Sequence, residues 1–150
     1  MPGCTEAFRA RILIVDDQEC NVRLLEYALR RGGYVAVAST TDPLEVCALH
    51  RQNHYDLIML DLQMPRMNGF EVMEGLGKLD GEDSVAVLIL SADPSQMVRA
   101  KEAGARDFLS KPFVLAEVLL RVRLMLEKTV PGDIEEPAPL LATAPPALRV

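Results

Sequence analysis

The sequence predicts a doubly wound α/β fold in which five helices flank a five-stranded parallel sheet. Two observations lead to this prediction. Short apolar runs alternate along the chain with segments of helical periodicity. The runs are apolar at nearly every position, which is typical of strands that are buried on both faces of a parallel sheet. Right-handed crossovers then place the ligand site at the carboxyl ends of the strands.

In the first half of the chain, uninterrupted apolar runs predict strands at residues 12–15, 35–38 and 57–60. The intervening helical pattern extends from Glu19 to Arg31, where Gly32-Gly33 ends it. Asp42-Pro43 begins a second helix, because it combines an N-cap residue with proline at the first helical position. The apolar stripe expected on this helix consists of Leu44, Cys47 and Ala48.

In the second half, strands are predicted at residues 85–90 and 107–109. A third helix follows the Asn68-Gly69 turn, with an apolar stripe formed by Phe70, Met73 and Leu76. Asp93-Pro94 begins a short fourth helix that ends near Gly104. The last helix is predicted at about residues 115–128.

Composition narrows the class of protein. The chain has 150 residues, half of them apolar and a quarter charged, and its net charge of −6 argues against a general nucleic-acid binder. Three cysteines and two histidines suggest neither a disulfide framework nor a zinc site, and Cys20 and Cys47 are expected to pack as small apolar residues. This cysteine usage fits a reducing compartment, so a cytoplasmic location is expected. No apolar run is long enough to span a membrane.

The domain is expected to occupy residues 11–128. Residues 1–10 are then an N-terminal extension. Residues 129–150 are rich in proline and alanine and lack periodicity, which indicates a disordered tail or a linker.

Polar residues follow the predicted strands at the edge where the site should lie. Asp16-Asp17, Asp61, Ser91 and Lys111 each come at or just after a strand end. Three carboxylates this close cannot all remain ionised without a cation, and an oxygen-only ligand set favours Mg²⁺. Lys111 is suited to hold an anion. The set predicts phosphoryl transfer with Asp61 as the nucleophile.

These residues, together with the passages DLIMLDLQMPRMNGFEV and GARDFLSKPF, resemble the receiver domain of two-component response regulators. The resemblance implies the flavodoxin-like, CheY-like strand order 2-1-3-4-5. It implies that Asp61 accepts a phosphoryl group from a histidine kinase or phosphotransfer protein. It also implies that Asp17, Asp61 and the backbone carbonyl of Gln63 bind Mg²⁺ directly, that Asp16 acts partly through water, and that Mn²⁺ can substitute.

Further roles follow from the same resemblance. Lys111 would contact the phosphoryl group, and the Lys111–Pro112 bond would be cis. Ser91 would move toward the phosphoryl group while the switch aromatic Phe108 rotates inward, and Ala92 would leave access to it. Gln63 and Asp93 would tune the lifetime of the phosphorylated state.

Phosphorylation would then change the face formed by the fourth helix, fifth strand and fifth helix. The last helix carries Leu120 and Leu124 opposite its predicted buried side, which suggests a surface for dimerisation or for an output domain. The output domain or effector cannot be named from this sequence, and neither nucleic acid nor a membrane is an expected direct partner.

Two alternatives remain open at this level. One is an Mg²⁺-dependent phosphatase of the HAD type, which also uses a strand-end aspartate but typically carries a second acid–base aspartate where this chain has Gln63. The other is a receiver that binds partners without phosphorylation, which the intact Asp17, Asp61 and Lys111 disfavour. The preferred hypothesis is a phosphoacceptor that acts on itself and is not an enzyme for a separate substrate.

Overall fold

The computed structural model describes residues 8–64, 67–80 and 85–127. In this part of the chain, five strands alternate with five α-helices. The strands are β1 (Arg11–Val15), β2 (Ala36–Thr40), β3 (Leu57–Asp61), β4 (Ala86–Ser91) and β5 (Asp107–Ser110). The helices are α1 (Glu19–Arg31), α2 (Val46–Asn53), α3 (Gly69–Asp80), α4 (Met97–Glu102) and α5 (Leu115–Glu127).

The strands form one parallel sheet in the order β2-β1-β3-β4-β5, which confirms the predicted fold and strand order. The third and fourth strands extend to the first polar residue after each apolar run. Asp61 pairs with Leu90, and Ser91 pairs with Ser110. The sheet itself therefore fixes the backbone of Asp61 and Ser91.

The second strand begins one residue later than predicted. Val35 lies outside the ladder, and its backbone N–H donates a hydrogen bond to the carbonyl of Phe8 at 3.2 Å. Arg11 pairs with Ala36, so the start of β1 sets the start of β2. The side chain of Val35 remains 69% exposed.

The predicted apolar stripe of α2 is wrong at Leu44 and Ala48. Leu44 is 57% exposed and Ala48 is exposed, whereas Val46 and His50 are the buried residues of the helix. A 3₁₀ turn at Pro43–Glu45 precedes α2, and each of its residues advances by about 120° instead of 100°. The face that contacts the sheet is therefore displaced from the one that an uninterrupted α-helix would bury.

Apolar side chains fill both faces of the sheet. One core layer packs beneath α1 and α5, and the other beneath α2, α3 and α4. Cys47 lies against the second layer, as expected, but Cys20 is exposed, so its predicted packing role is wrong. A Cβ at Gly75 would come within 2.8 Å of the Cys47 sulfur, which explains why α3 carries glycine where α2 crosses it.

The packed region also includes residues ahead of the predicted boundary at residue 11. Ala10 belongs to the core, and the Phe8 ring meets the Tyr34 ring edge to face at a centroid distance of 5.2 Å. The proposed tail at residues 129–150 lies outside the described residues. Within the described residues, no helix has the length and apolar character that crossing a membrane requires.

Candidate functional site

Three carboxylates meet at the carboxyl edge of the sheet. Asp61 is the last residue of β3, and Asp16 and Asp17 directly follow β1, the strand beside it. One oxygen of each side chain lies within 4.8 Å of those of the other two. Asp16 is fully buried and Asp61 is 4% exposed, while Asp17 is half-buried. The three carboxylates therefore meet at the edge of the sheet, as the positions of the strand ends predicted.

Lys111 reaches this cluster from the segment that follows β5. Its ammonium Nζ donates a hydrogen bond to Oδ2 of Asp16 at 3.1 Å and lies 3.5 Å from Oδ1 of Asp61. Its backbone N–H donates to the carbonyl of Ser91 at 2.8 Å, which fixes the lysine relative to β4. The Lys111–Pro112 peptide bond is cis.

Asp16 is held in place by several donors. Its carboxylate accepts hydrogen bonds from the backbone N–H of Gln18 at 2.9 Å and from the amide of Asn21 at 3.3 Å. With Lys111, these donors fix the orientation of a fully buried carboxylate. Asn21 was not predicted as a site residue, because one asparagine in a helical pattern gives no signal in the sequence.

The site has more negative than positive charge. Burial raises the pKa of Asp61 from its ordinary 3.8 to about 6, and this outweighs the lowering by the Gln63 backbone hydrogen bond and by Lys111. Asp16 and Asp17 raise it further. Carboxylate oxygens at this spacing fit a hard divalent cation, which would relieve the repulsion between them.

Gly69 is a site residue that the sequence prediction treated only as part of a turn. A Cβ at this position would come within 2.8 Å of the Asp61 carbonyl oxygen and 2.9 Å of Cα of Leu62. The Gly69 N–H donates to the Leu62 carbonyl at 3.0 Å. Glycine therefore lets the start of α3 approach the backbone that carries Asp61, and the residue pair Asn68-Gly69 was the available signal.

The predicted switch residues lie at the end of β4 and within β5. Ser91 is 1% exposed, and its hydroxyl accepts a hydrogen bond from the Asp93 N–H and donates one to Oε1 of Gln96, both at 3.1 Å. Phe108 is buried in the core layer beneath α3 and α4, with 6% exposure. Ala92 is exposed.

A cavity of about 360 Å³ opens beside Lys111. Its walls are mainly apolar, and its lining residues are Asn21, Leu24, Ala92, Lys111, Pro112 and Phe113. Leu24, which belongs to α1, is 42% exposed. The cavity therefore places exposed apolar surface next to Lys111.

The two leucines of the expected partner face are exposed, Leu120 by 50% and Leu124 by 42%. Leu120 borders a second cavity of about 370 Å³ that Phe8, Tyr34 and Arg123 also line. Arg121, on the side of α5 toward β5, forms an ion pair with Asp107 at 3.0 Å. The leucines thus follow the outer ridge of α5, between this cavity and the ion pair.

Comparison with known proteins agrees with this geometry. The family model of the response regulator receiver domain matches residues 12–123. The transcriptional regulatory protein PrrA of Mycobacterium tuberculosis is 38% identical over 118 residues, which cover 79% of this chain and 50% of PrrA. Response regulator MprA of Mycobacterium leprae is 36% identical over 126 residues, which cover 84% of this chain and 55% of MprA. The chain therefore spans about half the length of these relatives.

Solved structures show the same likeness. The chemotaxis protein CheY4 of Vibrio cholerae matches with a TM-score of 0.72 and 27% identity, over 78% of this chain and 98% of that one. The receiver domain of the sensor histidine kinase PA1611 from Pseudomonas aeruginosa matches with a TM-score of 0.71 and 27% identity, over 79% of this chain and 98% of that one. That structure has a magnesium ion coordinated in its active site cleft. With its fold, its strand-end cluster and a family match over most of its length, this chain belongs to the receiver domains of two-component response regulators.

Proposed function

We propose that Asp61 accepts a phosphoryl group from the phosphohistidine of a histidine kinase or phosphotransfer protein. A carboxylate oxygen of Asp61 attacks phosphorus, a P–O bond forms, and the P–N bond to the donor imidazole breaks. The imidazole leaves with the electron pair of that bond. The observation that carries the proposal is the burial of Asp61 at a strand end, within reach of the Lys111 ammonium and beside two further carboxylates.

The carboxylates support a resident Mg²⁺, for which Mn²⁺ can substitute. Asp17, Asp61 and the Gln63 carbonyl would hold the ion directly, with Asp16 acting partly through water. Bound there, the ion supplies positive charge that stabilises the transferring phosphoryl group. Lys111 binds a phosphoryl oxygen as a fixed cation, and Ser91 donates its hydroxyl proton to another.

The cavity next to Lys111 supports a docking position for the phosphodonor. Leu24 and Phe113 offer apolar contact within this cavity, and the small, exposed Ala92 also lines it. A kinase that draws on ATP works in the cytoplasm, so we place this chain there as well.

We infer that the protein transfers the group only onto itself and loses it by hydrolysis. Two observations support this inference over a phosphatase of the HAD type: Gln63 occupies the position where such an enzyme would need an acid–base aspartate, and the chain matches the receiver family. By family resemblance, the exposed Gln63 and the half-buried Asp93 would set the lifetime of the acyl phosphate.

We propose that phosphorylation changes the surface formed by α4, β5 and α5, and that this surface binds the partner. The relatives PrrA and MprA are about twice as long as the matched region, which supports control of an attached or separate output module. Leu120 and Leu124 would contribute apolar contact to a phosphorylation-dependent homodimer. A Leu120→Glu, Leu124→Glu variant should then lose self-association on phosphorylation, whereas Leu44→Glu, on the exposed face near α2, should retain it. Unchanged self-association of the double variant would contradict this role.

Incubation with Mg²⁺ and acetyl phosphate tests the phosphoacceptor proposal. Intact-protein mass spectrometry should detect one hydroxylamine-labile phosphoryl group per chain, and a chelator should prevent its formation. Asp61→Asn should abolish the gain. Asp56→Asn is the matched control, because Asp56 lies just before the same strand at its amino end. Equal phosphorylation of the wild type and Asp61→Asn would refute the assignment, and no phosphorylation of the wild type would favour a receiver that works without it.

A further inference from the structure

The hydroxyl proton of Ser91 is already engaged in a hydrogen bond. It is buried at the end of β4, donates to Oε1 of Gln96 at 3.1 Å and accepts from the N–H of Asp93 at 3.1 Å. A serine hydroxyl has one proton to donate. While Gln96 holds that proton, Ser91 has none left to donate to an oxygen on Asp61.

Gln96 lies where its hydrogen bond with Ser91 can also affect the start of α4. It is the last residue of the 3₁₀ turn Pro94–Gln96, directly before α4 begins at Met97. The turn is capped by Asp93, whose Oδ1 accepts a hydrogen bond from the Ser95 N–H at 3.0 Å. The half-buried Gln96 side chain therefore ties the end of β4 to the first turn of α4 across five residues.

α4 is a short helix with little buried surface among the described residues. The helix has six residues, and Ala100 is its one buried residue. Its Arg99 guanidinium lies 3.9 Å above the centroid of the Phe70 ring on α3, which anchors the middle of the helix. The bond between Ser91 and Gln96 is thus a direct link from the phosphorylation site to the start of α4.

We propose that Gln96 is a positioning residue that holds the Ser91 proton away from the phosphoryl group and so opposes switching. The inference rests on the proposed role of Asp61 as phosphoacceptor. Donation from Ser91 to a phosphoryl oxygen requires that Gln96 release the hydroxyl. The new bond is charge-assisted and stronger than the neutral one it replaces, so phosphorylation breaks the link and frees the first turn of α4.

Beryllofluoride, which mimics the acyl phosphate in the presence of Mg²⁺, measures this opposition as a binding constant. Replacing Gln96 with leucine removes the acceptor and keeps a similar volume. The Kd for beryllofluoride by calorimetry should fall about three- to tenfold, the range expected for one neutral hydrogen bond. Gln96→Ala should also lower the Kd for beryllofluoride. Gln52→Leu, at an exposed position on α2, is the matched control and should leave the Kd unchanged.

A double-mutant cycle with Ser91→Ala separates the proposed contact from a general effect on the loop. Without the hydroxyl, Gln96→Leu should no longer change the Kd. The proposal is overturned if Gln96→Leu and the wild type bind equally, or if the gain persists in the Ser91→Ala background. Absence of any beryllofluoride binding by the wild type would instead refute the role of Asp61, and the inference with it.

Discussion

The two ends of the sheet treat polar groups in opposite ways. At the amino edge, Arg11 donates its backbone N–H to Asp56 at 2.8 Å and its guanidinium to the Asn53 carbonyl at 2.7 Å, and all three residues keep contact with solvent. At the carboxyl edge, Asp16 and Asp61 are buried and share one ammonium group, that of Lys111.

The difference shows that charged groups can serve the fold at one edge of the sheet and the chemistry of the site at the other. At the amino edge, each bond joins a donor and an acceptor that water could also satisfy, so little energy depends on it. At the carboxyl edge, burial and neighbouring carboxylates raise the pKa of Asp61, which shows that its ionised form is disfavoured. A bound divalent cation would relieve the repulsion between these carboxylates. The predictions below test the contrast between these two ends, beginning with the largest effect.

Removing the ammonium group should have the largest effect. Lys111→Met leaves two buried carboxylates without their cation and should lower the free energy of unfolding by about 3 kcal/mol in metal-free buffer. Asp56→Ala, at the amino edge, should lower it by about 1 kcal/mol. Denaturant titration measures both. Equal losses for the two variants would mean that the ends of the sheet do not differ in this way.

Asp61→Asn should stabilise the metal-free protein while abolishing phosphorylation. The folded-state pKa of about 6 lies above the unfolded 3.8, so ionising Asp61 opposes folding, and this penalty is complete only above about pH 6. The variant should therefore gain about 2 kcal/mol at about pH 8, and the gain should shrink as pH falls through 6 toward 4. Denaturant titrations across this range check it. A variant less stable than the wild type at about pH 8 would contradict the account, as would a gain that grows in acid.

Gly69→Ala tests the close approach between α3 and the backbone of Asp61. The added Cβ meets backbone atoms under 3 Å away, which cannot move as a flexible side chain would. We expect a loss of about 2 kcal/mol in unfolding free energy and weaker Mg²⁺ binding, because the Asp61 backbone must shift. Thermal unfolding and an Mg²⁺ titration measure the two effects. Unaltered Mg²⁺ affinity would show that Gly69 does not position Asp61.

Gly77→Ala should have the smallest effect on stability. It is the matched comparison for Gly69→Ala, because both glycines belong to α3. A Cβ at Gly77 meets nothing within 4 Å, so alanine restores helix propensity without a clash. The unfolding free energy should rise by about 0.5 to 1 kcal/mol, with no change in Mg²⁺ affinity. A loss of stability in the same thermal unfolding assay would contradict this reading of α3.

Much of the architecture could be predicted because each strand is a continuous apolar run and each crossover begins or ends at a cap or glycine. The helix Glu19–Arg31 matches its predicted bounds for this reason. The buried face of α2 could not be predicted, since the 3₁₀ turn before it changes the angle between successive side chains. Cys20 shows that residue type alone does not decide burial at the first turn of a helix.

The site was predictable where a residue's position follows from the sheet. Asp16, Asp61, Ser91 and Lys111 converge because parallel strands end at one edge. Asn21 on α1 and Gln96 in the loop before α4 contact the site through side-chain hydrogen bonds. No periodic pattern in the sequence predicts such contacts. Whether Asp17 and Gln63 bind a metal and whether Phe108 switches stay predictions.

The most direct measurement of the central claim is the position of the acyl phosphate. Borohydride reduces an aspartyl phosphate to homoserine, so peptide mass spectrometry after phosphorylation and reduction identifies the residue. The account predicts homoserine at position 61 only, and only when Mg²⁺ is present. An unmodified Asp61 in protein that has taken up phosphoryl groups, or homoserine at position 16 or 17, would contradict it.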